Sequence, residues 1–514
     1  MNRTTKSCEL PWDWFLTILW LSIMCLYWTE IIRINFSQNP LFYCADMYSD
    51  MMFSVAAWEK ASIFPEGWVF GNQYYAVATP VLAALMYGFT HNPCIAMGIA
   101  STCMGLSVIL SFAWMLGPIF PQRHQRLAAV VLFMTVALWS GDTVYTVNGW
   151  QLFFTMCSYY ACYAIAAFLS FGCFLRRHSR WSPGFCMMVL IAVLFSFGTG
   201  IQSLRQTAIM VIPLIAATGL EQVDRVLHHK PLSRKSILLT GVLSLSNLAG
   251  ILYANAVSAP KHEIFGGLSF SPIPDLVSSF RNVLNLFGDG WILGIGAITA
   301  ACVYLVRAAS QKTTNSFFTC LFLYAVSTVV VLAIDIFTMM YVRSIYYFLL
   351  FPMAVILFVY LFARSKTVSC ILAAGILLLS LISGRHSLQS LPSWQDDHPL
   401  QAVSDCLEEN QVSVVFTQWN LGGKLAIASG FRFQIGFWDA ADDVFESVDY
   451  LCDPSVFDSD PSDCAYIVSG SQNLTLAQNR ARAKGAEIHI LKHFPELNLY
   501  LFTSDRQLMA PYEP

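Results

Sequence analysis

A succession of long apolar runs constrains the fold of this chain more than any other feature of its sequence. The runs lie at 12–32, 95–117, 127–140, 152–175, 185–200, 207–220, 236–258, 290–307, 316–340, 346–363 and 367–383, with a shorter one at 76–90. A helix needs about 20 residues to cross about 30 Å of hydrocarbon. Only 12% of the residues are charged, against about 25% in soluble proteins. The sequence therefore predicts an α-helical polytopic membrane protein with about 11–13 transmembrane helices.

Clusters of lysine and arginine fall on every second loop and set the predicted orientation, because such loops stay in the cytoplasm. The clusters are Arg123/Arg126, Arg176/Arg177/Arg180, Arg225/Lys230/Arg234/Lys235, Arg307/Lys312 and Arg364/Lys366. The alternate loops, and the chain after about residue 385, then face outwards. With a cytoplasmic N-terminus, the first loop shares that side only if the run 76–90 dips into the outer leaflet without crossing it. We therefore expect a multi-pass protein of the cell membrane.

The last part of the chain predicts a second domain. Residues 1–384 hold the apolar runs, whereas 385–514 are polar and alternate between strand-like and helix-like periodicity. The predicted helices are Leu400–Glu409, Leu421–Ser429 and Leu474–Lys484, and the predicted strands are Val412–Thr417, Phe431–Phe437, Ala465–Val468, Glu487–Lys492 and Leu497–Phe502. This spacing indicates a small extracytoplasmic α/β domain. Cys452 and Cys464 flank an acidic loop there and could pair in an oxidising compartment.

The first predicted outer loop, 33–76, carries the strongest candidates for chemistry. Asp46 and Asp50 lie four residues apart, so a helix would place both carboxylates on one face. An aromatic run at 64–75 follows and could form a lip that faces lipid. Acids beside such a lip suit chemistry on a lipid-anchored substrate. The plainer interpretation is a solvated loop helix capped by Asp46.

A second candidate region lies near the outer mouth of the run 346–363. Arg343 opens it, and Tyr346 follows. A guanidinium has planar, permanently charged donors that suit a phosphate at headgroup depth, although Arg and Tyr also serve as interfacial anchors. Asp335 lies inside an apolar run, where a charge costs roughly 2.5–3.5 kcal/mol and by default marks a paired or functional position. A structural Asp335–Arg343 pair and a functional acid explain it equally well.

Other outer turns contribute weaker candidates. Gln202 and Arg205 could line a cavity, although a glycine-rich helical hairpin accounts for their stretch somewhat better. Asp142 is a third outer acid, and a helix cap explains it equally well. His262 and Glu263 lie in a long outer loop, but one His and one Glu are a weak basis for a metal site.

Taken in order, these parts resemble the GT-C superfamily of membrane glycosyltransferases, especially the branch that holds protein O-mannosyltransferases and the lipid A aminoarabinose transferase. The segment Ser49-Asp50-Met-Met-Phe53 occupies the place of that family's acidic and aromatic motif. The segment Thr79-Pro80-Val-Leu82 occupies the place of its Pro-Pro-Leu run, and Arg343 to Pro352 resembles its late Arg-Tyr helix start.

Two departures from the family pattern affect the candidate acids. Ser49 stands where the family often has Asp, so the carboxylate pair becomes Asp46 plus Asp50. The family's second outer acid would align nearer Asn148–Gln151 than Asp142, which leaves the role of Asp142 open.

The resemblance implies a transferase that takes a sugar from a polyprenyl-phosphate-linked donor on the outer face, with inversion of the anomeric centre. The implied general base is Asp50, with Asp46 second, and the implied donor-phosphate ligands are Arg343, Arg205 and Tyr346. Asp335, Asp142 and Gln202 would support them. No cofactor is required, and a divalent metal is optional in the family. The acceptor would be a glycan, a glycolipid or a protein at a membrane surface, and no basic tract suggests nucleic acid.

Two other classes of protein stay open at this point. A transporter or flippase for a lipid-linked glycan would show paired repeats and broken helices near mid-membrane, and neither is evident in the sequence. A non-catalytic polytopic assembly protein would use its acids structurally. Replacing Asp50 by Asn separates a transferase from such a scaffold, because only the transferase should lose activity while still folding.

Overall fold

In the computed structural model, the helical membrane domain is followed by a C-terminal α/β domain. The structure describes residues 10–36, 45–135, 152–155, 158, 160–261, 270, 276–286, 315–338, 342–362, 365–390, 400–441, 444–448 and 450–509. The helices of the membrane domain are α1 (Leu10–Asn35), α2 (Ala45–Glu59), α3 (Thr79–Thr90), α4 (Pro93–Leu116), α5 (Arg123–Met134), α6 (Ala161–Leu175), α7 (Pro183–Gln202), α8 (Ile212–Leu227), α9 (Arg234–Val257), α10 (Leu276–Asn285), α11 (Ser316–Phe337), α12 (Leu350–Phe362) and α13 (Lys366–Ser390).

Among the described residues, 6 helices are long and apolar enough to cross a membrane. They correspond to α1, α4, α7, α9, α11 and the segment Thr207–Leu227, which contains α8. Helix α3 has only 12 residues, a rise of about 18 Å, so it is too short to cross about 30 Å of hydrocarbon. This length agrees with the expectation that the run 76–90 does not span. The predicted runs at 127–140 and 290–307 extend into or lie within parts outside the described residues.

Local sequence fixes the joint between α3 and α4. Helix α3 ends at His91, whose φ of 49° places it in the left-handed region. Asn92 then caps α4, because its side chain accepts a hydrogen bond from the backbone N–H of Ile95 at 3.0 Å. Pro93 occupies the first turn of α4, where a missing N–H costs nothing. The two helices therefore meet at a sharp, well-defined corner.

Close packing between α7 and α9 sets the position of the turn that follows α7. A Cβ on Gly250 would lie 2.1 Å from the carbonyl oxygen of Phe197, and one on Gly200 would lie 2.3 Å from that of Asn247. The side-chain amide of Asn247 also donates to the carbonyl of Ser196 at 3.1 Å. Larger residues at either glycine would force the helices apart.

The C-terminal domain consists of α14 (Gln401–Glu409), β1 (Val414–Gln418), α15 (Trp419–Ala428), β2 (Gln434–Ala441), β3 (Val444–Val448), β4 (Cys464–Ser469), α16 (Gly470–Lys484), β5 (Ile488–Phe494) and β6 (Leu499–Ser504). The described sheet has the order β3-β2-β1-β4-β6-β5, with β1 parallel to both β2 and β4. Every predicted helix and strand of this domain is present. Strand β3, which pairs antiparallel with β2, is absent from the sequence prediction.

Both faces of the sheet are covered by apolar side chains. One face packs on α14 and α15 through Val403, Leu407 and Leu425, and this cluster also includes Tyr48 of α2. The other face packs on α16 through Ala477 and Ala481. Tyr48 therefore ties the C-terminal domain directly to the helix that carries the candidate acids.

The disulfide that Cys452 and Cys464 could form in an oxidising compartment is not present, because Cys464 keeps a free thiol. It opens β4 with its sulfur 3.2 Å from the carbonyl oxygen of Asp460. Burial raises the pKa of this thiol to about 11, so it is protonated and unreactive at neutral pH.

Candidate active site

Helix α2 contains both candidate acids of the first predicted outer loop. Asp46 and Asp50 lie within Ala45–Glu59, so the prediction that a helix places them one turn apart is confirmed for the backbone. The Asp50 side chain is buried, with 3% of its surface exposed. The side chain of Asp46 and the whole of Asp142 lie outside the described residues. A buried carboxylate on this helix is uncommon enough to mark a candidate functional position.

Ser54 fastens α2 to the beginning of α3. Its hydroxyl lies 2.7 Å from the carbonyl oxygen of Asp50 and 2.9 Å from that of Pro80. Ser54 is itself almost fully buried. One hydroxyl thus joins the backbone at the candidate base to the first turn of the neighbouring helix.

The aromatic run after α2 forms part of the protein core, so these aromatics do not form the expected lip that faces lipid. Trp68, Phe70, Tyr74 and Tyr75 are all less than 8% exposed. Phe53 of α2 lies at their centre, with ring centroids 4.8 Å from Tyr75 and 5.7 Å from both Trp68 and Phe70. The rings bury their apolar faces on α2, a contact that sequence periodicity does not reveal. They pack against α2, the helix that carries the candidate acids.

Gln202, at the end of α7, holds the segment that leads into α3. Its side-chain oxygen accepts hydrogen bonds from the backbone N–H groups of Val77, at 2.8 Å, and Ala76, at 3.4 Å. Its amide nitrogen lies 3.5 Å from the sulfur of Cys162. Because both ends of the amide are engaged, Gln202 positions the backbone here rather than offering itself to a ligand.

Arg205 lies in the turn after α7, inside a cage of three tyrosine rings. Its guanidinium carbon is 4.4 Å from the ring centroid of Tyr346, 5.1 Å from that of Tyr160 and 5.3 Å from that of Tyr163. Such contacts stabilise a cation by roughly 0.5–2 kcal/mol each. Within the described part of the chain, this guanidinium has no carboxylate within 4.0 Å and donates no hydrogen bond. Among the described residues, its donors therefore have no acceptor.

Arg343 lies beside the same cage. Its carbonyl oxygen accepts a hydrogen bond from the backbone N–H of Tyr346 at 3.0 Å. Arg205 and Arg343 both lie close enough to Tyr160 for their charges to act on its hydroxyl. Two guanidinium groups from distant parts of the sequence therefore act on one tyrosine. The structure brings together Arg205, Arg343 and Tyr346, which the sequence singled out separately.

Sequence reasoning missed Tyr160 and Tyr163. Both lie in the apolar run 152–175, where a tyrosine is ordinarily a packing residue. The hydroxyl of Tyr163 donates to the side-chain oxygen of Gln73 at 3.0 Å. No local signal marks these residues, because their role depends on the turn after α7, which places Arg205 against their rings.

Asp335 has partners other than the predicted one. The hydroxyl of Tyr347 donates to it at 2.9 Å, and the amide of Asn282 in α10 donates at 3.2 Å. The same amide lies 3.0 Å from the carbonyl oxygen of Val342. No ion pair joins Asp335 to Arg343 among the described residues, so of the two open alternatives the structural pair with Arg343 is not the one observed. Asp335 instead orders the backbone that leads to the Arg343–Tyr346 segment.

Several buried polar atoms near these residues make no hydrogen bond within the described structure. They are the hydroxyls of Ser49, Thr79, Thr155 and Ser158 and the side-chain oxygen of Gln206. Each belongs to a residue at most 2% exposed. Thr79 opens α3, and the other four are close in sequence to Asp50, Tyr160 or Arg205. Native proteins leave few such atoms unpaired. Atoms of this kind also occur elsewhere in the described residues, at Ser170, Gln222 and Thr417 among others.

The described residues contain no group of three or more His, Cys, Asp or Glu side chains that could hold a metal ion. The optional divalent metal therefore has no ligand set within these parts of the chain. The side chains of Asp46 and Asp142 are outside them.

Solved structures with the same architecture identify the fold. ArnT from Cupriavidus metallidurans in the apo state superposes with a TM-score of 0.53 at 11% identity, covering 96% of this chain and 99% of that one. The same protein bound to undecaprenyl phosphate gives a TM-score of 0.52 at 10% identity with the same coverage. This chain has the GT-C fold. At such low identity the likeness establishes the fold alone.

An oligosaccharyltransferase from Archaeoglobus fulgidus, in complex with zinc and sulfate, covers 80% of this chain and 62% of its own at 10% identity. Its TM-score of 0.44 is too low to support an argument. No protein-family model matches the sequence, and no curated protein matches it significantly.

Proposed function

We propose that this protein is a membrane glycosyltransferase that moves a sugar from a polyprenyl-phosphate-linked donor to an acceptor hydroxyl. The observation that carries the proposal is the guanidinium of Arg205, which the three tyrosine rings hold without a described carboxylate or hydrogen-bond acceptor. A cation prepared in this way suits an anionic ligand. The GT-C fold and the membrane-length helices support a ligand at a lipid surface.

A lipid phosphate fits the chemistry of this cage. The planar guanidinium donates two parallel hydrogen bonds to phosphate oxygens, and its charge persists at any physiological pH. Arg343 supplies a second guanidinium nearby, and Tyr346 contributes both a ring and a hydroxyl. ArnT was crystallised with undecaprenyl phosphate bound, which supports a donor of this class.

The proposed reaction is a single displacement that inverts the anomeric carbon. The acceptor oxygen forms a bond to that carbon while the bond from carbon to phosphate oxygen breaks. The electron pair leaves with the polyprenyl phosphate, whose developing charge Arg205 and Arg343 stabilise. Asp50 takes the proton of the acceptor hydroxyl as general base, with Asp46 as the second candidate. The balance requires no oxidant, reductant or metal.

Supporting residues hold this arrangement in place. Gln202 fixes the segment before α3 through Val77, and Ser54 fixes α3 to the backbone of Asp50. Asp335 orders the approach to Arg343 through Tyr347. We propose that the reaction and the C-terminal domain face the extracytoplasmic side, as the loop charges predict. The acceptor is a glycan, a glycolipid or a protein.

The test is sugar transfer by purified protein in lipid nanodiscs. Radiolabelled polyprenyl-phosphate sugars serve as donors, and membrane glycolipids and surface glycans are offered as acceptors. Asp50→Asn keeps the size of the side chain but removes the base, so turnover should fall about 10²- to 10⁴-fold. Asp439→Asn, an exposed position in β2, serves as the matched control and should retain full turnover.

Two outcomes would contradict the proposal. Equal turnover by wild type and Asp50→Asn would remove Asp50 from the mechanism and transfer the role to Asp46. A folded wild-type protein that turns over none of the donors, yet moves lipid-linked glycan between leaflets, would make it a transporter.

A further inference from the structure

Helix α10 (Leu276–Asn285) is short and exposes a patch of apolar side chains. Successive residues of an α-helix lie about 100° apart around its axis. Leu276, Phe280 and Val277 therefore share one sector of the helix, and each of them is more than half exposed. A contiguous exposed patch of this kind marks a contact with a membrane or with another protein.

The remainder of the helix surface divides into a polar exposed sector and a buried sector. Arg281, Asn285 and Ser278 follow next around the axis, and all three are exposed. Ser279 and Val283 complete the circle and are buried, so they face the protein. A helix with one face on protein, one exposed apolar face and one exposed polar face fits the boundary between a bilayer and water.

Two contacts place α10 at the end of a membrane-length helix. The side-chain amide of Asn282 donates at 3.2 Å to Asp335, which lies in the last turn of α11. Phe270, which precedes α10, forms an isolated β-bridge with Thr338, the residue after α11. Because α11 is long and apolar enough to cross a membrane, its end lies near the lipid headgroups. Helix α10 therefore lies at headgroup level.

Exposed apolar side chains also occur along α11 up to the end on which α10 packs. Val329 and Phe337 of α11 are more than half exposed, as is Phe270. On a helix that spans a membrane, side chains of this kind face the acyl chains of lipid. Lipid is therefore the covering that is continuous with the surroundings of α10.

We infer that α10 is an interfacial helix, which lies in the phospholipid leaflet at this end of α11. Leu276, Val277 and Phe280 enter the acyl-chain region. Arg281 lies beside them on the polar sector, where its long stem reaches the lipid phosphates. Asn285 faces water.

Insertion of α10 also fixes the depth of the segment that leads to Arg343. The amide of Asn282 donates at 3.0 Å to the carbonyl oxygen of Val342. The hydroxyl of Tyr347 donates to the same Asp335 carboxylate as Asn282 does. A helix held in the leaflet therefore keeps Arg343 near the depth of lipid phosphates. This consequence rests on the proposed function, whereas the insertion of α10 does not.

Photocrosslinking of the full-length protein tests the insertion, in nanodiscs of dioleoylphosphatidylcholine without any polyprenyl lipid. The photoreactive residue p-benzoylphenylalanine replaces Phe280 in one variant and Asn285, on the polar sector, in the matched control. Intact-protein mass spectrometry counts the attached phospholipid. Attachment should be about tenfold more frequent at position 280, because the two positions lie about 140° apart around the helix.

Hydrogen exchange of the α10 amides provides a second measurement that needs no photoreactive residue. Phe280→Gln removes the apolar ring and should speed exchange in nanodiscs about tenfold, because the helix then has less apolar surface in lipid. Asn285→Gln introduces the same side chain on the polar sector and should leave the exchange rate unchanged.

Three results would overturn the inference. The first is equal attachment of phospholipid at positions 280 and 285. The second is a crosslink from position 280 to another copy of the protein in place of lipid, which would make the patch a protein interface. The third is unchanged exchange in Phe280→Gln. Since no donor is present, none of these results depends on the proposed transfer reaction.

Discussion

Helix α7 has an arginine near each end, and the two are stabilised in different ways. Arg177 lies just before it and Arg205 just after it, so a helix of 20 residues, about 30 Å long, separates them. Arg177 is 5% exposed and meets the carboxylate of Glu221 at 2.6 Å. Arg205 meets three tyrosine rings instead. Glu221 therefore neutralises the charge of Arg177, whereas the charge of Arg205 has no carboxylate partner among the described residues.

The hydrogen-bond network around Glu221 explains why Arg177, which precedes α7, has a structural role. Its two oxygens also accept from the hydroxyl of Ser236, at 2.9 Å, and from Arg225, at 3.3 Å. A buried carboxylate with all its acceptor positions engaged has little capacity left for a ligand. The comparison therefore teaches that a fully engaged carboxylate partner marks Arg177 as a packing residue, whereas Arg205, which has none among the described residues, is the proposed ligand of an anion.

Removing Arg177, whose charge Glu221 neutralises, should give the largest effect on folding. Arg177→Ala leaves Glu221 with only part of its compensation, so the free energy of unfolding should fall by about 3 kcal/mol, near the lower end for a broken buried pair because Arg225 remains. Thermal unfolding in nanodiscs measures this change. Turnover per folded molecule should stay at the wild-type level. An unchanged unfolding temperature would mean that water already screens the pair.

Removing Arg205 should instead reduce activity more than stability. Arg205→Ala should lower kcat/KM about 10²- to 10³-fold, as expected when one fixed donor to a developing charge is removed. Its unfolding temperature should fall less than that of Arg177→Ala, because the guanidinium loses ring contacts but leaves no buried carboxylate without a partner. Arg205→Lys keeps a point charge and should recover part of the activity.

Arg482→Lys, on the exposed surface of α16, is the matched control for the Arg205 variants. A large loss of stability with unchanged kcat/KM in Arg205→Ala would show that both ends of α7 are structural. The contrast between the two arginines would then disappear.

The sequence predicts the helical segments and the α/β tail well because those signals are local. Apolar length determines a helix such as α7, and alternation determines a strand such as β4, without knowledge of distant residues. Strand β3 was missed because its short stretch, Val444–Val448, pairs with β2 only once the sheet exists.

The candidate site was predictable only in pieces. Arg205, Arg343 and Tyr346 each stood out as polar or charged residues at the outer ends of apolar runs. Their convergence, and the rings of Tyr160 and Tyr163 around Arg205, depend on contacts between residues far apart in the chain. A single sequence carries no information about such contacts.

The smallest expected effect concerns how the cage holds Arg205. Tyr346→Phe keeps the ring whose centroid lies 4.4 Å from the guanidinium, so the affinity for undecaprenyl phosphate should change less than about threefold if the ring face provides the stabilisation. Tyr346→Ala removes the ring and should weaken binding about 2- to 30-fold, which corresponds to roughly 0.5–2 kcal/mol. Titration of the lipid phosphate into nanodisc protein measures both. Equal losses in the two variants would instead assign the effect to the hydroxyl, as a direct donor to phosphate, and would make Tyr346 a ligand rather than part of the wall.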